Sequence, residues 1–299
     1  MKLLTFTHDG ATRIGALRGE NIVDLHAADP AVPADMVELL QGGDALMARA
    51  KAAAESGDAA IALADVKLES PVLKPPRVLA IGLNYEAHFD EIPDEIKQKR
   101  GLTLPTTPIM FNKQNTSVNG PYDGIHLPPE SEQLDYEGEL GVVIGKTARR
   151  VDKANAFDVV AGYTIIDDVT IRDWQRAAMT MTMGKSWDSH CPMGPVLVTK
   201  DELTAPETLQ VTVTVDGEEK QNFNTGEMLF DIATLIEYMS TAFTLVPGDV
   251  IATGTSAGVA LFRDGQPWLR EGQVVRVDIE QIGFIENKVV KDDGVSYIR

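Results

Sequence analysis

The clearest pattern along the chain is a series of short apolar runs, rich in β-branched residues, each closed by Gly, Asp or Asn. RVLAIGLN, LGVVIG, VVAGYTIID, LQVTVTVDG, DVIATG, QVVRVDI and FIENKVV read as strands from Arg77 onward. Helical spacing is clearest in FDIATLIEYMSTAFTLV, where Ile232, Leu235, Ile236, Met239 and Phe243 form one apolar stripe that reads as core packing. Strands and helices do not alternate regularly, which disfavours a parallel Rossmann or TIM architecture. A mixed or antiparallel, strand-rich core with peripheral helices is expected.

Before Arg77 the pattern differs. Residues 1–26 read as short strands with a polar turn over Arg18–Asn21. Residues 34–64 carry Ala, Leu, Met and Glu at helical spacing, broken by Gly42, Gly43 and Gly57. VKLESPVLKPP, from Val66 to Pro76, is a strand running into a proline-marked junction. The expected organisation is a small N-terminal α/β domain over 1–70 and a larger domain over 71–299. No repeat or low-complexity tract interrupts it.

Composition narrows the function classes. At 299 residues, 43% hydrophobic and 24% charged, the chain has the make-up of an ordinary globular protein with a large core. No apolar run reaches the roughly 18 residues that span a bilayer, and no membrane partner is expected. A formal charge of −18 argues against nucleic acid, which needs clustered Lys and Arg. It leaves room for a small anionic substrate, because a cation and a few basic side chains can invert the local field. Cys191 is the only cysteine and MKLLTFTHDG lacks a signal-peptide apolar region, so a reducing compartment, by default the cytoplasm, is expected.

LDYEGELGVVIG, residues 134–145, poses a chemical question. On a strand, residues two apart share a face, so Glu137 and Glu139 point the same way beside an apolar run. A wet edge strand would explain the pair, and so would a cation between them. All-oxygen ligands suit Mg²⁺, Mn²⁺ or Ca²⁺ better than zinc. A third oxygen is on offer at the end of GYTIID, where Asp167–Asp168 can ligate, cap the following VTIRDWQ, or divide the two roles between them. In GLNYEAHFDE, a helix would put His88 and Glu91 on one face, either as a water-activating pair or as an inert surface pair. Lys185 in TMGKSWDSHCPMGP reads on its own as a solvated lysine. PGDVIATGTSAGV sets a Gly/Thr/Ser turn after a strand, where free N–H groups and the Thr255 hydroxyl can hold a carboxylate.

Taken in order, IGLNYEAHFDE, FNKQNTSVNGP, DYEGELGVVIGK, GYTIIDDVTIRDWQ, GKSWDSHCPMGP, NTGEMLFDIATLIEYMS and PGDVIATGTSAGV resemble the fumarylacetoacetate hydrolase family over roughly Arg77 to Val290. The resemblance implies an α+β, β-rich fold, a mixed β-sheet roll with a small N-terminal domain, assembled as a homodimer. It implies a Mg²⁺ or Mn²⁺ site, open to Ca²⁺ in a crystal, made by Glu137, Glu139 and Asp168. It further implies a His88–Glu91 dyad on a mobile lid, a catalytic Lys185, and Arg172, Gln175 and Thr255 holding a 2-oxo acid. Two positions depart from the family pattern: Asp167 stands where Asn is commoner, and Ser256 where Pro is commoner. The stretch IPDEIKQKRGLTL, Ile92 to Leu104, is long for the family lid.

The activity expected first is hydrolysis of the C–C bond of a 2,4-diketo acid of the acylpyruvate or fumarylpyruvate type. The dyad would activate water, and the metal and Lys185 would stabilise the pyruvate enolate that leaves. The competing expectation is an isomerase, tautomerase or decarboxylase acting on oxaloacetate-like or hydroxymuconate-like acids at the same site. A non-catalytic scaffold is disfavoured, because ligands, dyad and lysine are all present.

Overall fold

The computed structural model describes residues 1–296 and 298. Its centre is the strand Gly138–Ile144, whose seven residues are all buried. A strand covered on both faces reads as a continuous apolar run rather than an alternating one, which is why GELGVVI shows no polar face. It lies inside a 12-stranded mixed sheet, antiparallel to Val160–Asp167 on one side and to Val250–Ala252 on the other. Val250–Ala252 in turn runs parallel to Val78–Gly82, which pairs antiparallel with the terminal strand Ile109–Lys113. The wet-edge explanation for Glu137 and Glu139 therefore fails.

These pairings set the site. In the antiparallel register Gly138 opposes Asp167, so the start of one strand meets the end of the other. The C-terminal ends of Val250–Ala252 and Val78–Gly82 arrive at the same edge of the sheet. Four strand ends thus deliver Glu137, Asp168, the 253–258 turn and the His88 segment to one place. Asn84 fastens the last two together by donating to the carbonyls of Thr253 (2.7 Å) and Phe230 (3.1 Å) and accepting from the Phe230 amide (2.9 Å).

A second sheet of five strands runs Glu218–Asn224, Gln210–Val215, Val274–Ile279, Gly283–Lys291 and Ile125–Leu127. It packs on the first through Val213, Val277 and Ile285, all fully buried. Gly138 is glycine for this reason: a Cβ there would sit 2.4 Å from Val213. Helix Ile232–Ala242 is capped by Asp231, which accepts from the Thr234 amide, and buries Ile232, Leu235, Ile236 and Met239 as its spacing predicts.

The N-terminal reading is matched in its main elements, but Ile61–Ala62, inside the stretch read as helical, is a short strand paired with Asn21–Asp24. Strands Lys2–His8, Ala11–Arg18 and Asn21–Asp24 form a meander whose last turn pairs Arg18 with Asn21. Helices Met36–Gln41 and Gly43–Ser56 follow, the second ending at Gly57. Strand Lys2–His8 pairs antiparallel with Cys191–Thr199, so these strands extend the large sheet. Among the described residues no helix is long and apolar enough to cross a membrane.

The tightest strand contact is at Gly162, where an added Cβ would lie 2.2 Å from the Val198 carbonyl oxygen. Backbone cannot rotate away as a side chain can. Gly162→Ala is expected to push Val160–Asp167 off Cys191–Thr199 and cost about 1–3 kcal/mol, read as a lowered midpoint in thermal unfolding. An unchanged midpoint would contradict this packing.

Candidate active site

Glu137, Glu139 and Asp168 are all buried and offer one oxygen each within 4.8 Å of one another. The strand pattern places only Glu139 inside a regular strand. Glu137 lies in the break between Leu134–Asp135 and Gly138–Ile144, with its amide donating to Asp167 Oδ1 at 2.8 Å. That bond shows what Asp167 does. It caps no helix, because Arg172–Ala177 begins after Ile171 without a side-chain cap. Burial pushes its carboxyl up to about 7, against the pull of the Glu137 amide.

Lys185 is no solvated lysine. It is 1% exposed and its ammonium bridges Glu137 Oε2 and Asp168 Oδ2, both at 2.7 Å. Arg172 is equally enclosed: Nε donates to Asp135 Oδ2 at 2.8 Å, a terminal nitrogen to Gln175 Oε1 at 3.1 Å, and the other lies 2.6 Å from Glu137 Oε1. Asp135 is itself held by the amides of Ala260 (2.8 Å) and Leu261 (3.0 Å). Arg172 and Gln175 line the cavity, but their polar groups already bind protein. Sequence reasoning missed both Asp135 as the holder of Arg172 and Lys113, whose ammonium meets Asp168 Oδ1 at 2.6 Å.

The turn after Val250–Ala252 does hold carboxylates, and they are the protein's own. The Gly254 amide donates to Glu139 Oε2 (2.7 Å) and the Gly258 amide to Glu91 Oε1 (2.6 Å). The Thr255 hydroxyl is committed too, donating to the Gly138 carbonyl at 2.9 Å and accepting from Gln221 at 2.8 Å. Glu86–Asp90 is a short helix, with Glu91 just beyond it, and His88 Nδ1 lies 3.0 Å from Glu91 Oε2. His88 is buried and faces the cavity, so the pair is not a surface one.

The cavity is about 520 Å³ and contains Glu137, His88, Lys185 and Thr255 at its polar end. The long stretch after Glu91 shapes its other end. Asp94–Arg100 forms a helix stopped by Gly101 at φ 61°, and Ile92, Ile96 and Leu102 turn into the cavity.

Burial alone would raise Glu137, but Lys185 and Arg172 reverse that and hold it at about 2. Glu139 has only the Gly254 amide and no cationic partner among the described residues. Burial, then the charges of Asp168 and Glu137, lift it well above the carboxylate range. A buried carboxylate without a counter-charge, beside two others, is what a divalent cation would relieve, and the all-oxygen donor set fits one.

A strand-rich α+β roll sets a buried lysine, a His–Glu pair and a buried oxygen triad, whose donor set fits a divalent cation, beside one cavity. The model of the fumarylacetoacetate hydrolase C-terminal region matches residues 77–290, and the chain belongs to that family. It is 40% identical over 273 residues to the mitochondrial oxaloacetate tautomerase of Rattus norvegicus, covering 91% of this chain and 85% of that one. The fumarylacetoacetate hydrolase of Exiguobacterium antarcticum superposes with a TM-score of 0.80 at 35% identity, over 98% of this chain and 100% of that one. The maleylpyruvate hydrolase of a Sphingobium species, solved with manganese(II) and pyruvate, gives 0.79 at 31% over the same shares.

The cytoplasmic expectation does not survive this comparison, since the rat protein and its human counterparts are mitochondrial by name. A single cysteine and the lack of a secretory apolar region separate reducing from oxidising surroundings but not the cytoplasm from the mitochondrial matrix.

The two glutamates should respond oppositely to pH in metal-free protein. Glu139, raised in the fold, favours folding only while protonated. That contribution is full below the ordinary carboxyl value and is lost as pH rises through its folded value. Glu137, lowered, stabilises above 4.5 and loses this as pH falls toward about 2. At pH 7 without metal, Glu139→Gln is expected to raise the unfolding midpoint by a few degrees and Glu137→Gln to lower it. Shifts of the same sign would contradict the assignment.

Proposed function

We propose that the protein is a divalent-metal-dependent tautomerase that interconverts the enol and keto forms of oxaloacetate or a closely related 2-oxo acid. The observation that carries this reading is the similarity, at 40% identity across 91% of the chain, to a protein named as an oxaloacetate tautomerase. It supports the isomerising chemistry over the C–C hydrolysis expected first from the motifs.

The geometry is suited to proton transfer. Keto and enol differ by one proton moved between C3 and the oxygen on C2. Glu91 occupies His88 Nδ1 and fixes the ring's tautomer, leaving Nε2 as the nitrogen that exchanges a proton. Gly258 in turn fixes Glu91. In this reading His88 takes the proton from C3 or returns it there. The Lys185 ammonium, placed by Glu137 and Asp168, gives or recovers the proton on the C2 oxygen. One proton leaves one atom as another arrives at the second, and nothing is hydrolysed.

Glu137, Glu139 and Asp168 would hold Mg²⁺ or Mn²⁺. When bound, such an ion supplies Lewis-acid stabilisation of negative charge on the substrate's oxygens. Arg172 acts here through Glu137, which it orients, as well as through its face on the cavity. Gln175 and Thr255 complete the wall against which the acid lies.

The test is a Mg²⁺-supplemented assay with enol oxaloacetate beside acylpyruvate and fumarylpyruvate. Rapid loss of enol absorbance without pyruvate formation from the acylpyruvates is expected. Pyruvate release from an acylpyruvate, with enol decay left at its spontaneous rate, would replace the tautomerase by a hydrolase. Glu91→Gln should lower tautomerisation roughly 10²-fold while binding of oxalate persists. Glu139→Ala should abolish both Mn²⁺ binding and turnover. Full activity of the Ala variant in the presence of EDTA would remove the metal from the account.

A further inference from the structure

Lys113 ends the terminal strand Ile109–Lys113 and is 2% exposed. Its ammonium donates to Asp168 Oδ1 at 2.6 Å, to the Val169 carbonyl at 3.2 Å and to the Lys185 carbonyl. An ammonium has three protons to donate, and all three point at protein. Lys113 therefore has none left for a substrate. Its influence on the chemistry runs through Asp168, whose other oxygen meets Lys185, and through its charge.

We infer that Lys113 sets the charge of the site: it loosens the triad's hold on a divalent cation and draws a substrate anion to the loaded site. A neutral amide would tether Asp168 without the desolvation cost of a buried ammonium, so the charge itself calls for a reason. Arg172 and Asp135 balance each other at 2.8 Å. The ammoniums of Lys185 and Lys113 set two positive charges directly against the three ligand carboxylates, so much of the attraction those carboxylates offer a dication is already spent. Without Lys113 one of those positive charges is gone, the triad grips the cation harder and the loaded site draws an anion less. This inference rests on the 2-oxo-acid reading above.

Lys113→Met and Lys113→Gln separate this role from scaffolding. Mn²⁺ is titrated into each metal-free protein by calorimetry, and oxalate is then titrated into the Mn²⁺-loaded forms. In both variants the Mn²⁺ dissociation constant is expected to fall, and the oxalate constant to rise, each by about tenfold or more. Weakening of both in step with a lowered unfolding midpoint would mean that Lys113 only braces the fold. Wild-type constants in the Gln variant, which keeps a donor beside Asp168, would mean that the charge is irrelevant. Failure of both variants to fold would likewise assign Lys113 to scaffolding, and each of these three results overturns the inference. If the opposite shifts appear but the wild-type protein leaves oxaloacetate unchanged, the tautomerase reading falls and the charge role stands.

Discussion

The constraint on which the rest of the structure depends is the confinement of three carboxylates in one buried cluster. Glu137, Glu139 and Asp168 repel one another across less than 5 Å, and in a buried setting that repulsion is only weakly screened. The chain answers it unevenly. Lys185 and Arg172 compensate Glu137, and Lys185 and Lys113 compensate Asp168, while Glu139 is given a single backbone amide. The shortfall at Glu139 is what a bound cation would make good, where a closed ion-pair network would leave none.

Rigidity at the strand ends keeps the carboxylates from relaxing apart. Glu137 is pinned by Asp167, Glu139 by its strand and Gly254, and Asp168 by Lys113 and by its own amide on the Glu137 carbonyl at 2.8 Å. The same turn that holds Glu139 also holds Glu91, so the triad and the dyad share one support. The glycines of that turn are required by contact as well as by conformation. Gly254 and Gly258 have φ of 101° and 110°, and a Cβ on Gly258 would lie 2.0 Å from the Lys220 carbonyl oxygen. Proton transfer tolerates little error in placement, and a common support removes one source of it.

Much of this was legible in the sequence because it follows from periodicity. The buried run after Glu139, the stripe of the Ile232–Ala242 helix, and the i, i+3 pairing of His88 with Glu91 are local patterns. What stayed hidden depends on contacts between distant segments. Nothing near Arg172 announces that Asp135 will neutralise it, and nothing near Thr255 announces that its hydroxyl will be spent on Gly138. Lys113 left a trace. In IMFNK it shares a face with Phe111, which is 5% exposed, so strand alternation puts the lysine on the buried side. The polar neighbours Asn112 and Gln114 obscured it. The choice between hydrolase and tautomerase was not legible, because both readings call on the same triad, lysine and dyad.

The most direct test of the central claim, that this site moves a proton at C3 of a 2-oxo acid, is deuterium wash-in. Oxaloacetate would be incubated in D₂O with the Mg²⁺-loaded protein and its C3 position followed by proton NMR. The account predicts incorporation well above the spontaneous rate, confined to one of the two C3 hydrogens and absent from His88→Gln. Exchange at the spontaneous rate, in protein shown to bind Mn²⁺ and oxalate, would contradict it.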